Sequence, residues 1–158
     1  MAGRRKGGQA RASDLSGLVL EGASLTRVSF AGCRMTGIVL AGATLQDVRM
    51  DGSRVDLANL RMAQAGYLLT EDSSLRQAEF YQASISDSAL LDCDLTGADF
   101  TECRVSNLEL HGSVPDELRG ALSLRVATIS PDQVLALAPS LLAGAGIRVS
   151  PTPRTRDR

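Results

Sequence analysis

Ala98-Asp99-Phe100-Thr101-Glu102 has the same outline as the stretch twenty residues earlier, Ala78-Glu79-Phe80-Tyr81-Gln82: small, polar, large apolar, then two polar residues. Working outward, the large apolar position recurs every fifth residue. The series is Leu15, Leu20, Leu25, Phe30, Met35, Leu40, Leu45, Met50, Val55 and Leu60, then Leu75, Phe80, Ile85, Leu90, Leu95, Phe100, Val105 and Leu110. It lapses only at Ala65 and Thr70. Two residues before each of these lies a second inward candidate, usually small, as at Cys33, Ala43, Ala78, Cys93, Ala98 and Cys103. A period of five matches neither the 3.6 of a helix nor the 2 of a flat strand. A coil with four short sides accounts for it: residues two apart point inward along each side, and the rest turn the corner.

The corners give an independent reading of the same register. Eight of the nine glycines between Ser13 and Gly112 fall two residues after a large apolar centre: Gly17, Gly22, Gly32, Gly37, Gly42, Gly52, Gly97 and Gly112. Asp47, Asp72, Asp87, Asp92 and Asn107 occupy other corners. Gly, Asp and Asn are the residues that best tolerate the positive φ of such a turn.

With this motif the sequence over residues 13–112 resembles the pentapeptide-repeat family. The resemblance implies an all-β solenoid, a right-handed quadrilateral β-helix in which four repeats make one coil, giving about five coils. At about 4.8 Å per coil the rod is expected to be on the order of 24 Å long. Phe80 and Phe100, one coil apart, are expected to stack. In character the chain is nearest to the actinobacterial DNA-gyrase-binding, fluoroquinolone-resistance branch of that family.

At 158 residues the chain fits one domain with tails. Aromatic content of 3% with no Trp suits a narrow interior that accepts Leu and small residues better than indoles. No apolar run is long enough to cross a bilayer, and the start Met1-Ala2-Gly3-Arg4-Arg5-Lys6 lacks the apolar stretch of a secretory signal, so a cytoplasmic location is expected. The cysteines Cys33, Cys93 and Cys103 all take the small inward position, where Cys acts as a compact hydrophobe; their spacing across coils fits neither a bridge nor a metal. His111 reads as a solvated loop residue. No cofactor, metal or catalytic residue is expected: the chain shows no phosphate loop, no Cys-x-x-Cys pair and no nucleophile–base arrangement.

Outside the repeats the expectations are local. Residues 1–12, with Arg4, Arg5, Lys6 and Arg11, read as a disordered basic arm. The undersized centres Ala65 and Thr70, the out-of-register Gly66 and the bulky corners Leu57, Met62 and Tyr67 predict a distorted third coil or a surface loop, with an exposed apolar rim as the functional alternative. Over residues 113–149 the register is expected to fail at Val114-Pro115-Asp116 and to resume, shifted, at Leu124 and Ile129. A helical cap then starts at Ser130-Pro131-Asp132-Gln133, is kinked or split by Pro139 and ends at Gly144 and Gly146, before a short strand at Ile147 and Val149. Residues 150–158 read as a disordered tail. The apolar surplus of the cap, at Val134, Leu137, Leu141 and Leu142, is the candidate contact of a homodimer, which the resemblance to the gyrase-binding branch also implies.

Charge is uneven. The net charge is −1, but residues 61–112 carry nine acids against three arginines, a net −6, while residues 13–60 carry five against four. Folding the repeats onto four sides places Asp51, Glu71, Asp72, Asp92 and Glu109 in one acidic column, the candidate partner face. The function expected is non-catalytic: a protein–protein interaction scaffold, with no direct nucleic-acid or membrane binding. The alternative, carried by the resemblance, is a DNA mimic that binds DNA gyrase and protects it from quinolone-type inhibitors. Arg27, Arg34, Arg49 and Arg54 interrupt the first half of any such mimic.

Overall fold

Leu25 lies opposite Leu45, Leu45 opposite Ala65, Ala65 opposite Ile85, and Ile85 opposite Val105, so the chain returns above itself every twenty residues. The computed structural model describes residues 3–153. Six strands, β1 (Arg4–Arg11), β2 (Ser24–Ala31), β3 (Thr44–Asp51), β4 (Gln64–Glu71), β5 (Ser84–Leu91) and β6 (Arg104–Glu109), form one parallel sheet in sequence order. These strands bend around one corner and so cover two sides. Single bridges hold the other two, running Asp14, Arg34, Arg54, Ser74, Asp94, Val114 and Val19, Val39, Asn59, Glu79, Asp99, Arg119. The result is a four-sided β-solenoid.

The corners explain why the period is five. Every fifth residue from Gly7 to Glu117 has positive φ, whatever its side chain: Arg27 (55°), Leu57 (58°), Met62 (59°) and Tyr67 (53°) turn as the glycines do. The inter-coil hydrogen bonds on either side impose the turn; Leu57 N–H to the Arg76 carbonyl (2.9 Å) and Met62 N–H to the Tyr81 carbonyl (2.9 Å) are examples.

The interior is a stack of apolar layers. Phe80 and Phe100 are stacked with centroids 4.7 Å apart and planes 3° from parallel. Leu40, Leu45, Leu60, Leu75, Leu90, Leu95 and Leu110 are buried around them, while Leu15 and Leu20, near the first end, are only partly so. The polar inward residues are satisfied by the coils themselves. Ser53 Oγ accepts the Cys33 N–H (3.1 Å), Ser73 Oγ that of Ser53 (3.1 Å), Ser88 Oγ that of Leu68 (3.0 Å) and Ser113 Oγ that of Cys93 (3.0 Å). Each hydroxyl also donates to a carbonyl, so a buried Ser costs little here.

Several expectations are corrected. The arm is ordered from Arg4 to Arg11 as β1, paired with β2, because the exposed edge of β2 offers it a ladder; Met1 and Ala2 lie outside the described residues. The middle of the solenoid is regular. Ala65 and Thr70 are buried, β4 keeps its pairing on both sides, and Gly66 lies opposite Gln46, whose side chain occupies the space a Cβ would take. The register also survives Val114 and Pro115: Val114 N–H bonds the Cys93 carbonyl (2.8 Å), and Arg119 N–H the Ala98 carbonyl (3.0 Å).

The coil breaks instead at Gly120 (φ 68°), followed by a short 3-10 segment, Ala121–Leu124. Thr128 then pairs with Glu109 at nineteen residues rather than twenty, the expected shift in phase, and Leu124 is buried. Helix α1 (Val134–Gly144) follows one 3-10 turn, Pro131–Gln133, and runs unbroken through Pro139. The Leu135 carbonyl, which Pro139 cannot bond, belongs to a residue 85% exposed, so water can satisfy it. Gly146 (φ 74°) ends the helix: its N–H bonds the Ala143 carbonyl, and Ile147 N–H the Leu142 carbonyl (2.8 Å). Ile147 and Val149 form no strand and are exposed. Residues 150–153 are irregular and exposed, and the rest of the tail lies outside the described residues.

Candidate interaction surface

Each outward position forms a column along the tube, one residue per coil, so the surface chemistry is set by residues twenty apart. Asp51 and Glu71 are neighbours in one column, which continues as Leu91 and the exposed His111. Asp72 (φ 48°) and Asp92 (φ 51°) form the adjoining corner column, between Gly52 and Gly112. Glu109 belongs to a third, opposite Ala89 and two residues upstream of His111. The five candidate acids therefore spread over three adjacent columns on one side and its corner, where the sequence reading had one column. The reason is the corner itself, which turns Asp72 and Asp92 away from their neighbours Glu71 and Leu91.

The same face is not uniformly negative. Arg49 Nη2 is 3.1 Å from Glu71 Oε2, with the Arg49 side chain 56% exposed. At such exposure the pair contributes at most about 1 kcal/mol to stability, but it neutralises one of the five acids. On the other sides Arg76 pairs with Asp94 (2.9 Å), and Arg61 lies 3.9 Å from Glu79 and 5.0 Å from the Tyr81 ring centroid. Amide–carboxylate pairs recur one coil apart, Gln82 with Glu102 (2.8 Å) and Asn107 with Asp87 (3.0 Å). Asp94 and Asp99 are partly desolvated, which raises their carboxyls. The N–H and hydroxyl of Thr96 and Thr101 outweigh that and hold both below the usual carboxylate value.

The cysteines are free and buried. Burial pushes the thiol of Cys93 up to about 11 and that of Cys103 up to about 12, so neither is a thiolate near neutrality. Of the dimer candidates, Leu137 is 6% exposed and Leu141 packs against the core, so both are turned inward to cover the end of the solenoid. Val134 (51% exposed) faces outward and Leu142 is half-buried. The reading missed Leu135, the most exposed apolar residue of α1, because it sits beside rather than on the apolar stripe.

Gln133 was read only as a helix cap, yet it does more. It is 4% exposed, its Oε1 accepts the Ser130 N–H (2.8 Å), and its Nε2 donates to the carbonyls of Leu110 (2.5 Å) and Ser113 (2.7 Å). The signal lay in the spacing: Gln133 stands twenty residues after Ser113, in the inward column of Cys93 and Ser113. It closes the last coil as a further repeat would.

With the repeat geometry in place, the comparison with known families is decisive. The pentapeptide repeats pattern matches in eight copies, over residues 9–40, 23–61 and 78–114. The chain belongs to the pentapeptide-repeat family. No curated protein matches it. Pentapeptide-repeat structures similar to it include full-length QnrB1, a plasmid-mediated fluoroquinolone resistance protein, at 15% identity and a TM-score of 0.42, covering 88% of this chain and 99% of that one. HetL, involved in heterocyst differentiation regulation in the cyanobacterium Nostoc, is 17% identical with a TM-score of 0.36, over 73% of this chain and 62% of HetL. A protein of the Arabidopsis thaliana thylakoid lumen is 16% identical with a TM-score of 0.38, over 85% and 77%. No helix among the described residues is long and apolar enough to cross a membrane.

Proposed function

We propose that this pentapeptide-repeat protein is a non-catalytic binding protein whose solenoid sides serve as an interaction scaffold for a protein partner in the cytoplasm. The observation that carries this reading is the column order of the surface. Outward side chains repeat at fixed register on a tube whose interior is packed throughout, so a partner meets a preformed, mixed-charge face at little entropic cost. Leu57, Met62 and Tyr67, each more than half exposed on successive corners, provide apolar anchors on different sides. Photo-crosslinking from position 67 in cells tests it: a discrete protein adduct is expected, and adducts no stronger than those from the buried position 80 would overturn it.

A second reading, mimicry of a DNA duplex toward DNA gyrase, is favoured by the −6 net charge of residues 61–112 and by the exposed Asp72 and Asp92. Gyrase supercoiling measured against increasing protein separates the two. Inhibition, or protection from a quinolone, that disappears in the triple variant Glu71→Lys, Asp72→Lys, Asp92→Lys supports mimicry. No effect at micromolar concentration removes it. A homodimer would use the outward face of α1, at Val134, Leu135 and Leu142. In sedimentation, Leu135→Glu should then convert a dimer to monomer with unchanged circular dichroism, and a monomeric parent protein rules the contact out.

A further inference from the structure

The two ends of the solenoid differ. The last coil is closed by Gln133 and α1, whereas the first opens into a hollow of about 250 Å³ lined by Leu15, Leu18, Leu20, Leu25, Val28 and Phe30. The hollow exists because the first coil is underfilled. Gly8 and Ala10 stand where Val28 and Phe30 stand one coil later, so those larger side chains form its floor. Its rim on the β1 side carries the exposed Arg4, Gln9 and Arg11; the acids of the first coil, Asp14 and Glu21, lie on the other sides.

The backbone of this end is also open. In later coils the residue at the middle of a side turns both its backbone groups to the preceding coil. Arg34 N–H bonds the Ser13 carbonyl (2.9 Å) and the Arg34 carbonyl accepts the Leu15 N–H (2.7 Å); Val39 does the same with Leu18 and Leu20. Among the described residues, no coil precedes the equivalent residues of the first turn, which include Gln9, Asp14 and Val19. An apolar hollow, a basic rim and a free parallel edge therefore coincide along β1. An amphiphile would answer the first two, but only a polypeptide answers all three.

We infer that the open first coil is a docking site for an extended acidic peptide segment, which adds to β1 as a parallel strand. Its alternate apolar side chains fill the hollow and its carboxylates meet Arg4 and Arg11. The inference is independent of the acidic side of the tube. The column rules specify the recognised pattern: acidic residues beneath Arg4 and Arg11, apolar ones beneath Gly8 and Ala10, and glycine at the corner beneath Gly7, whose φ is 70°.

The probe is the fluorescein-labelled octapeptide Glu-Leu-Thr-Gly-Val-Thr-Phe-Glu with blocked ends, titrated by anisotropy against the full chain. Saturable binding is expected. It should weaken at least about tenfold when the terminal glutamates are replaced by lysine, when the second threonine is N-methylated, or when the chain carries Ala10→Phe or Arg11→Glu. Ala10→Phe fills the hollow from within, so its melting temperature should not fall, which separates lost binding from lost fold. Equal affinity for the lysine probe, the N-methyl probe or the Ala10→Phe chain would overturn the inference. So would displacement of the probe by decanoate at equal affinity, which would make the hollow an amphiphile site. End-to-end association of the free chain abolished by Ala10→Phe would do so too, since the occupant is then a second copy.

Discussion

Phe100 has no exposed surface and stacks on Phe80, so Phe100→Ala removes a ring from a layer that the coils above and below hold in place. Urea denaturation should show a loss of about 3–5 kcal/mol, and a near-neutral result would contradict the packing. Gly120 is fixed on two counts: its φ is 68°, and a Cβ there would lie 2.2 Å from the Thr101 backbone nitrogen. Gly120→Ala should therefore destabilise measurably, while Gly66→Ala, which meets only the end of the Gln46 side chain, should not. The bulky corners go the other way. Leu57, Met62 and Tyr67 hold positive φ with a Cβ penalty of roughly 1 kcal/mol or more, so Leu57→Gly should leave the melting temperature unchanged or raised. These corners show why the sequence misled in the middle of the tube. Gly, Asp and Asn announce a left-handed turn, but Leu, Met and Tyr do not, and here the hydrogen bonds of adjacent coils decide the backbone.

Among elements, β2 to β5 were legible because apolar centre, small partner and turn residue agree within each. β1 was not: its inward positions carry Gly8 and Ala10, so the hydrophobic signal ends although the corner signal continues at Gly7 and Ala12. It is the neighbouring strand, rather than its own apolar content, that orders it. The cap was legible from Ser130, Pro131 and Gln133, but which face of α1 looks inward depended on where the last coil breaks, and no local pattern marks Gly120. Because Gln133 supplies the buried donor for two carbonyls, Gln133→Ala should cost about 1–3 kcal/mol. An unchanged denaturation midpoint would show that water replaces it. The acids of the candidate face were all identified from spacing, whereas the Arg49–Glu71 pair, two columns apart, required the corner geometry.

For the molecule as a whole, stability should be flat across neutral pH and fall on both sides. Asp94 and Asp99 are held below their ordinary 3.8, so their contribution is complete above that value and is lost as pH drops through the folded pKa values. Cys93 and Cys103 are raised above 9.0, so theirs is complete below 9.0 and is lost as pH climbs toward 11 and 12. Melting temperature followed from pH 2 to 11 checks both limbs, with Asp99→Asn flattening the acid one. Alkylation at pH 8 should label neither thiol in the folded chain.

The strict vertical alignment of equivalent side chains has an evolutionary consequence. Because Gln64 N–H already bonds the Ala43 carbonyl at 2.8 Å, cutting out residues 44–63 would splice two atoms that are already neighbours. A gene of this kind can gain or shed a storey by duplication slippage without redesigning what remains. Its length is free to drift in whole floors, while any insertion of fractional height puts core residues into water.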